Sequence, residues 1–381
     1  MSRVYIGCFG SGLGHATRMV AVAKALSEAG VEVRFSSSRE ASEFIRGQGF
    51  RCNEVPLADV KYTDMGELAV KDTVVSSPLI LAKTYQQVRR EVGNISSFEP
   101  DAVLSDSVLS TVLAARVLGR RVVTVVNQIH LEAHGAERSA RLRMVSLGAS
   151  RSMRALWSLS DSVLYPDLPP PYTISERNLW GTDATEESYI GFLTMEDSGP
   201  PDSAFSQFSS DPRTKIFWQV SGPTQTRAPL VRRALELAEH LSDEYVFVIT
   251  GGDPTGSKAP SRLSFGWYYS WCAMAGHYFR ACDVVVARAG HGTLAQAIES
   301  SKPSLLIPIP KQTEQEGNSR KAERLGISIK VEQDELTADV FRRSLRTLNE
   351  GDFSERVARL SSIASGYEAL PKIVSALEGR A

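Results

Sequence analysis

Two glycine-rich segments, one near each end of the chain, hold residue types that can bind an anion or move a proton. In the later segment, the apolar strand Val284–Val286 leads into residues 289–293, AGHGT, and a helical pattern begins at Leu294. Glycines let a backbone approach an anion closely, and the unpaired N–H groups at a helix start point towards it. The pattern therefore predicts a phosphate-binding loop.

The earlier segment holds a candidate general base. The strand at 4–9 ends in residues 10–18, GSGLGHATR, so that His15 opens a helix directly after a strand. The partial positive charge of a helix N-terminus favours the neutral imidazole, which is the form that accepts a proton. Asp106 follows the strand Ala102–Ser105, and a carboxylate beside the imidazole would fix its tautomer. The alternatives are a packing role for His15 and a helix N-cap role for Asp106.

The first glycine turn also has to be compared with a dinucleotide-binding loop. Its spacing is G-x-G-x-G rather than G-x-G-x-x-G. The second predicted strand ends in Ser36-Ser37-Ser38, where proteins that bind NAD place an acidic residue. Arg39 leaves an NADP-binding interpretation open, but the pattern fits a dinucleotide poorly.

The elements that must position these residues alternate between strands and helices. Strands are predicted at 4–9, 31–36, 102–105, 122–126 and 162–165, and then at 216–220, 245–250, 284–286, 304–307 and 327–331. Such alternation favours parallel sheets covered by helices. We predict an α/β protein of two doubly wound, Rossmann-like domains that face each other across a cleft, with ligands outside the carboxyl ends of the strands. The first domain covers 1–195 and a C-terminal helix at about 366–381, a linker covers 196–213, and the second domain covers 214–365.

The composition is that of an ordinary globular protein. The chain has 381 residues, of which 42% are hydrophobic and 23% charged, and its net charge of -1 does not favour nucleic acid as a partner. No apolar run reaches the length of about 18 residues that a spanning helix needs, and no basic leader precedes the first strand, so we expect a cytoplasmic protein. The spacing of the four cysteines favours free thiols rather than a metal site.

With these residues, the chain resembles the inverting nucleotide-sugar glycosyltransferases of the GT-B fold. It is similar to the lipid II-forming N-acetylglucosaminyltransferase and to the natural-product and plant UDP-glucosyltransferases, over both predicted domains. The segment Gly14-His15-x-x-Arg18 resembles the family's Gly-His-x-x-Pro, in which the His is the catalytic base. Asp106 lies where the plant enzymes keep the carboxylate that orients this base. The last helix resembles the one that in this fold packs back onto the first domain.

The resemblance also implies a donor site. The turn at 221–222 resembles the family's turn that faces the donor. The loop at 290–293 resembles the family's diphosphate-binding loop. The residue pair at 314–315 resembles the family's pair that binds the hydroxyl groups of the donor sugar. Trp267 is expected near the nucleotide base of the donor, and core packing is the alternative interpretation. Asn318 follows the sugar-binding pair at 314–315, as it does in bacterial members of the family. The predicted donor-binding residues are Gly12, Gly14, Ser221, Gly222, Trp267, Gly290, His291, Gly292, Thr293, Gln296, Glu314 and Gln315.

Two positions depart from the family pattern. Arg18 replaces the usual Pro, and Gln296 stands where the lipid II enzyme has the Glu that holds the ribose, which leaves the nucleotide open. In the retaining GT-B families two glutamates flank this loop. His291 and Gln296 occupy that stretch here, which favours inversion.

The activity implied by the resemblance is transfer of a sugar from a nucleoside diphosphate-sugar, a UDP-hexose or UDP-N-acetylhexosamine, to an acceptor hydroxyl. His15 would take the acceptor's proton, and the helix start at 292–293 would stabilise the departing diphosphate. No metal and no other cofactor is expected. The alternatives are a nucleotide-sugar 2-epimerase of the same fold and a non-catalytic nucleotide-sugar-binding partner subunit.

The acceptor side is less specific. Residues 138–160 carry five arginines and no acid among interleaved apolar residues. A solvated helix face is the simpler interpretation, and a surface for a membrane or a lipid-linked acceptor at the inner face of the membrane is the functional one. His130 and His134 have the i, i+4 spacing of metal ligands, although a loop near the acceptor is favoured there.

Overall fold

The computed structural model describes residues 1–56, 77–130, 139–180, 184–195 and 200–380, without the side chains of 77–79, 81, 224 and 225. The chain divides into two compact units. Unit 1 comprises Met1–Met195 and Tyr367–Ala381, and unit 2 comprises Glu196–Gly366. Each unit has its own sheet, and the predicted α/β architecture is confirmed.

Unit 1 is built on a six-stranded sheet in which all neighbouring strands are parallel, in the order β3-β2-β1-β4-β5-β6. Its strands are β1 (Arg3–Cys8), β2 (Glu32–Ser37), β3 (Arg51–Glu54), β4 (Ala102–Asp106), β5 (Arg121–Val125) and β6 (Ser162–Leu164). Its helices are α1 (Gly14–Glu28), α2 (Arg39–Gly47), α3 (Ser77–Phe98), α4 (Leu109–Val117), α5 (Ala140–Trp157) and, from the C-terminal part of the chain, the last helix at Ala369–Glu378.

The strand order of unit 1 reverses between β1 and β4. The chain leaves β1 towards β2 on one side and later returns to β4 on the other side. Both strands are buried on both faces, as is typical of a parallel sheet covered by helices. Cys8 pairs with Asp106 in register, so that the loops after β1 and β4 begin side by side. Open α/β sheets bind their ligands at such a switch point.

Unit 2 contains a seven-stranded sheet in the order β13-β12-β11-β7-β8-β10-β9, in which only the edge strand β9 is antiparallel to its neighbour. Its strands are β7 (Thr214–Gln219), β8 (Tyr245–Thr250), β9 (Ser261–Leu263), β10 (Gly266–Tyr269), β11 (Val284–Ala287), β12 (Ser304–Leu306) and β13 (Ser328–Lys330). Its helices are α6 (Ser203–Ser210), α7 (Thr224–His240), α8 (Ala275–Ala281), α9 (His291–Glu299), α10 (Thr313–Arg324), α11 (Ala338–Glu350) and α12 (Phe353–Ala364), which leaves the label α13 for Ala369–Glu378 in unit 1.

The strand order of unit 2 reverses between β7 and β11, which are neighbours in the sheet. The loops that follow these two strands therefore start at the same edge. One core cluster lies around Trp218 of β7, whose ring stacks on Phe341 of α11 at 5.5 Å between ring centroids. This packing fixes β7, and with it the turn at 221–222.

The predicted linker at 196–213 is wrong for the residues that the structure describes. Residues 203–210 form α6. Asp202 is its N-cap, and the Asp202 side chain accepts a hydrogen bond from the backbone N–H of Phe205 at 2.8 Å. Ala204 and Phe208 are buried in the core of unit 2. An Asp before a helix is a strong capping signal. The surrounding Ser and Pro residues made this segment resemble a linker.

A buried carboxyl group joins three elements of unit 1. Glu91 of α3 is fully buried. Its Oε2 accepts a hydrogen bond from the hydroxyl of Tyr5 at 2.6 Å, and its Oε1 accepts from Ser36 at 2.7 Å and Thr111 at 3.0 Å. Burial raises the pKa of Glu91, and the three hydroxyl groups act in the opposite direction without cancelling the effect of burial.

The raised pKa makes the stability of unit 1 depend on pH. A carboxyl group whose pKa is raised by folding contributes stability that is fully present below its unfolded pKa and is lost as the pH rises through its folded pKa. Above the ordinary pKa of 4.5, Glu91→Gln should therefore gain thermal stability relative to the parent protein as the pH rises. Thermal unfolding midpoints between about pH 4 and about pH 8 would test this.

The control for this prediction is Glu43→Gln, at an exposed position of α2. Its midpoint should follow that of the parent protein at every pH. Glu91→Ala should be destabilising throughout, because it leaves three buried hydroxyl groups without an acceptor, at about 1–3 kcal/mol per group. A constant difference between Glu91→Gln and the parent protein would show that folding does not change the titration of Glu91.

Candidate functional site

The loop after β1 holds His15 in the first turn of α1. Gly12 has a φ of 74°, in the left-handed region that favours glycine. A Cβ atom on Gly10 would lie 2.2 Å from the hydroxyl oxygen of Ser38, so that any larger residue at this position would clash with Ser38. The helix begins at Gly14. His15 is therefore fixed at the carboxyl end of β1, where the strand order reverses.

The structure brings His15 and Asp106 together. Nδ1 of His15 lies 2.9 Å from Oδ1 of Asp106, which is fully buried as the last residue of β4. The carboxylate can only accept, so this contact requires the proton on Nδ1 and leaves the lone pair on Nε2. The side chain of His15 is 20% exposed, and in the described part of the chain no residue bonds to Nε2. An imidazole in this arrangement can accept a proton on Nε2.

Asp106 does not cap the following helix. The residue at the N-cap of α4 is Val108, and the side chain that accepts from its N–H is the hydroxyl of Ser105, at 3.3 Å. Ser107, between them, has a φ of 58°, and its hydroxyl group lies 3.3 Å from Oδ1 of Asp106. The backbone thus turns away directly after β4 and leaves the carboxylate beside His15.

Arg18, one turn further along α1, binds the same carboxylate. Its Nε donates to Oδ2 of Asp106 at 2.7 Å, and its Nη2 donates to Oδ1. The same Nη2 lies 3.0 Å from Nδ1 of His15 and 3.3 Å from Oδ1 of Asn127. Burial opposes the ionisation of Asp106, but the charge of Arg18 and the hydrogen bonds from His15 and Arg18 outweigh it, so the pKa of Asp106 lies well below 3.8. Sequence reasoning noted Arg18 only as a departure from a motif.

In unit 2, α9 begins at a glycine. Gly290 is the N-cap residue and has no side chain that could cap this helix start. The N–H of Leu294 makes the first intrahelical hydrogen bond, to the carbonyl of Gly290 at 3.1 Å. The N–H groups of His291, Gly292 and Thr293 precede it and have no intrahelical acceptor. Gly292 is exposed, and the site can accept an anion.

Two buried side chains of α10 support this loop. Nδ2 of Asn318 donates to the carbonyl of Ala289 at 3.0 Å, directly before the N-cap. Oε1 of Gln315 accepts from the N–H of Ile309 at 2.9 Å. Gln315 therefore uses its amide oxygen to hold the backbone, and its amide N–H groups remain as donors for the predicted contact with a sugar. Glu314 is partly exposed in the first turn of α10.

Arg288 places a buried cation directly before this loop. The side chain is 1% exposed, and its Nη1 donates to the carbonyls of Ile307 and Pro308, both at 3.0 Å. Its Nη2 donates to the carbonyl of Thr226 at 3.1 Å and to Oε1 of Gln333 at 2.7 Å. Among the described residues it has no carboxylate partner. Burial lowers the pKa of Arg288 to about 10, so that the group stays charged at neutral pH. Sequence reasoning missed this residue, which ends an apolar strand.

Of the other predicted donor-site residues, Ser221, Gly222 and Gln296 belong to unit 2. The turn at 221–222 follows β7, and Gly222 has a φ of 109°, which requires glycine. Gln296 is partly buried on α9, one turn after the exposed Gly292. Gly12 and Gly14 belong to the loop of unit 1 that precedes His15.

Trp267 needs a correction. This side chain of β10 is 4% exposed and packs in the core cluster that contains Tyr269 and Tyr278. The guanidinium of Arg262 covers the ring, 4.1 Å from its centroid. The residue is therefore a core residue, as in the alternative interpretation, and offers no free face to a nucleotide base. A tryptophan in an apolar segment gives the same sequence signal in both roles.

In the described part of the chain no group of three or more His, Cys, Asp or Glu side chains is arranged to hold a metal ion. None of its helices is long and apolar enough to cross a membrane. The candidate metal ligand His134 lies outside the described residues. The four cysteines are free thiols.

Comparison with known proteins assigns both parts of the chain to the same class. Residues 2–157 match the profile "Glycosyl transferase family 1", and residues 220–366 match "Glycosyltransferase family 28 C-terminal domain". A protein of Methanosarcina mazei named as a glycosyltransferase is 25% identical over 394 residues, which cover 99% of each chain. An Anaeromyxobacter protein named UDP-N-acetylglucosamine–N-acetylmuramyl-(pentapeptide) pyrophosphoryl-undecaprenol N-acetylglucosamine transferase is 29% identical over 194 residues, 47% of each chain.

Solved structures show the same fold. A spinosyn rhamnosyltransferase in complex with spinosyn aglycone superposes with a TM-score of 0.72 at 19% identity, over 99% of this chain and 100% of that one. A Streptomyces glycosyltransferase in complex with thymidine diphosphate superposes with a TM-score of 0.68 at 18% identity, over 100% of both chains. These structures confirm the predicted GT-B fold. The family matches over both parts of the chain, together with the names of the relatives, confirm the predicted class of enzyme, a glycosyltransferase.

Proposed function

We propose that the protein transfers a sugar from a nucleoside diphosphate-sugar to an acceptor hydroxyl, with inversion at the anomeric carbon. The pair formed by His15 and Asp106 carries this proposal. Nε2 of His15 takes the acceptor's proton while the acceptor oxygen bonds to the anomeric carbon. The bond from that carbon to the diphosphate oxygen breaks on the opposite face. The negative charge of Asp106 stabilises the imidazolium that forms.

In this proposal the residues of unit 2 bind the leaving diphosphate. The N–H groups at 291–293 can donate to phosphate oxygens, and the helix dipole favours negative charge at the same place. Arg288 adds a full positive charge close by in sequence, without a carboxylate among the described residues to neutralise it. Fixed positive groups of this kind can stabilise a departing diphosphate. We therefore propose that the transfer needs no divalent metal.

For the donor we propose UDP-hexose or UDP-N-acetylhexosamine. The support is the named donor of the Anaeromyxobacter relative, together with the resemblance of the sugar-binding pair at 314–315. The Streptomyces structure holds thymidine diphosphate, a second pyrimidine nucleotide. Gln296 would bond to a ribose hydroxyl more weakly than a carboxylate does.

For the acceptor we propose a lipid-linked molecule, reached at an anionic membrane surface. On α5 the apolar side chains of Met144, Val145 and Leu147 are exposed by 73%, 44% and 41%. Arg141 and Arg143 lie on the same helix, which contains no acidic residue. Exposed apolar groups beside basic ones favour binding to anionic lipid.

The first prediction concerns the base. His15→Ala should lower kcat by about a hundredfold to ten-thousandfold, because it removes the proton acceptor, and should leave the affinity for UDP unchanged. Transferase rates and calorimetric titration with UDP would measure the two effects. His240→Ala, at an exposed histidine, is the control and should keep full activity. Full activity in His15→Ala would exclude this mechanism.

The second prediction concerns the diphosphate. Arg288→Gln should weaken the binding of UDP by about tenfold while changing that of uridine little, because only UDP carries charge for the lost cation to attract. Arg288→Lys keeps the charge and should lie between the two proteins. Calorimetric titrations in the presence of EDTA would measure both ligands. Equal losses for UDP and uridine would indicate a purely structural role, and binding that needs a divalent metal would contradict the metal-free proposal.

The third prediction concerns the membrane. The protein should sediment with vesicles that contain phosphatidylglycerol, less so as salt rises, and not with neutral phosphatidylcholine vesicles. The double variant Met144→Ser, Leu147→Ser should bind the anionic vesicles more weakly. Val117→Ser, which removes an apolar side chain of 72% exposure from another helix, is the control. No binding at low salt would rule the proposal out.

The two alternatives make different predictions. A 2-epimerase would convert UDP-N-acetylglucosamine alone, without an acceptor, and a non-catalytic subunit would bind it unchanged. The glycosyltransferase names of the relatives over both parts of the chain favour transfer. Incubation with this donor, with and without acceptor, separates the three activities.

A further inference from the structure

Arg18 is in contact with both members of the candidate base pair. We propose that Arg18 is a positioning residue that keeps His15 unprotonated down to lower pH than the pair with Asp106 alone would allow, while it fixes the carboxylate in place. This inference rests on the proposed role of His15 as the base. It concerns the residue at which the chain departs from the family pattern.

The orientation of Asp106 follows from the two hydrogen bonds of Arg18. The Nε and Nη2 groups bind separate oxygens of the carboxylate. A planar guanidinium in this side-by-side contact fixes the carboxylate plane as well as its position. Oδ1 is thereby directed at Nδ1 of His15. Arg18 itself is 6% exposed and is held by Oδ1 of Asn127, in the loop after β5.

The effect on protonation follows from the charges. Nδ1 of His15 and Nη2 of Arg18 both donate towards Oδ1 of Asp106, so their separation of 3.0 Å is a contact between two donors rather than a hydrogen bond. With a neutral imidazole, the charges of Arg18 and Asp106 cancel. Protonation of His15 would then leave a net positive charge, with two cations in contact at a largely buried place. Like charges in contact disfavour the charged form.

Few other groups can produce this effect. Among the described residues, the titratable and charged groups that interact with the pair from the surrounding elements are Arg18 of α1, Asp106 of β4 and the buried thiol of Cys8 of β1. Burial raises the pKa of Cys8, and the charge of Asp106 acts in the same direction, so the thiol is neutral at physiological pH. The ring of Phe9, which carries no charge, is in edge contact with that of His15 at 5.3 Å between centroids. Arg18 is therefore the cation whose removal changes the balance.

Arg18 therefore has two opposing effects on His15 as a base. A histidine kept unprotonated is ready to accept a proton over a wider pH range. The same repulsion makes it a weaker base once transfer begins. Without Arg18, His15 should be a stronger base. Its Nε2 should also become protonated, and so unable to accept the acceptor's proton, at a higher pH than in the parent protein.

The test is the titration of His15 by NMR, which needs neither donor nor acceptor. The protein is labelled with ¹⁵N-histidine, and the signal of His15 among the six histidines is assigned by its absence in His15→Gln. In Arg18→Met, His15 should become protonated at a pH about one unit or more above that of the parent protein. In Arg18→Lys, which keeps the positive charge, His15 should become protonated at a pH closer to that of the parent protein.

Two further variants keep the test decisive. Arg18→Gln is a second neutral variant that retains a donor to Asp106, in case Arg18→Met does not fold. Arg116→Met removes another arginine that pairs with a carboxylate of unit 1, that of Asp161, and should leave the titration of His15 unchanged. If both neutral variants titrate as the parent protein does, or at lower pH, the inference is overturned.

A kinetic measurement separates this inference from the proposed function. The acidic limb of kcat/KM against pH should move to higher pH in Arg18→Met, in parallel with the NMR titration. A purely structural role would lower the rate at every pH without moving the limb. If His15→Ala keeps its activity, the role of His15 fails, while the NMR result still decides whether Arg18 controls its protonation.

Discussion

A buried ionised carboxylate is the interaction on which the site of unit 1 depends. Removing such a charge from water costs on the order of several kcal/mol, and the charge persists only where cations and donors surround it. Asp106 meets this condition through Arg18, His15 and Ser107. The carboxylate therefore requires the loop after β1, the first turns of α1 and the end of β4 to come together. Loss of any of these contacts would leave the buried charge less fully compensated.

Unit 2 presents the opposite case. Its buried charge is the cation of Arg288, and in the described part of the chain only carbonyl and amide oxygens surround it. Dipoles hold the group in place but do not cancel its charge. The two units thus handle a buried charge differently, because Asp106 is neutralised within the folded protein, whereas Arg288 retains a positive field at the edge where α9 begins.

The sequence predicted the parts of the fold and site that follow from local pattern. Apolar strands alternating with helices predicted both sheets, and two residues that follow adjacent parallel strands, His15 and Asp106, were expected to meet. Arg18 was not expected in this pair, because its contact depends on the path of α1 across the sheet. Arg288 was missed because burial of a charged side chain has no local signal.

The predictions for Trp267 and for the segment that contains α6 also depended on tertiary packing. Trp267 could stack on a base or fill a core, and only the tertiary packing around β10 distinguishes the two. The segment that contains α6 has the composition of a linker, yet Asp202 and two buried side chains are enough to make it a helix. For Trp267 the decisive contacts come from residues remote in sequence, whereas for α6 the Asp202 cap is local and only the burial of Ala204 and Phe208 depends on the rest of unit 2.

The discontinuity of unit 1 has a consequence for synthesis of the protein. The chain leaves unit 1 after Met195 and returns at Tyr367, and α13 then packs on β4 and β5. Arg121 of β5 donates to the carbonyl of Ala376, and Lys372 donates to that of Tyr189. All of unit 2 is therefore translated before α13 leaves the ribosome. Unit 1 is thus the first unit to begin synthesis and the last to be completed. Its sheet lacks α13 until the end of translation, whereas unit 2 is one continuous segment and can already fold.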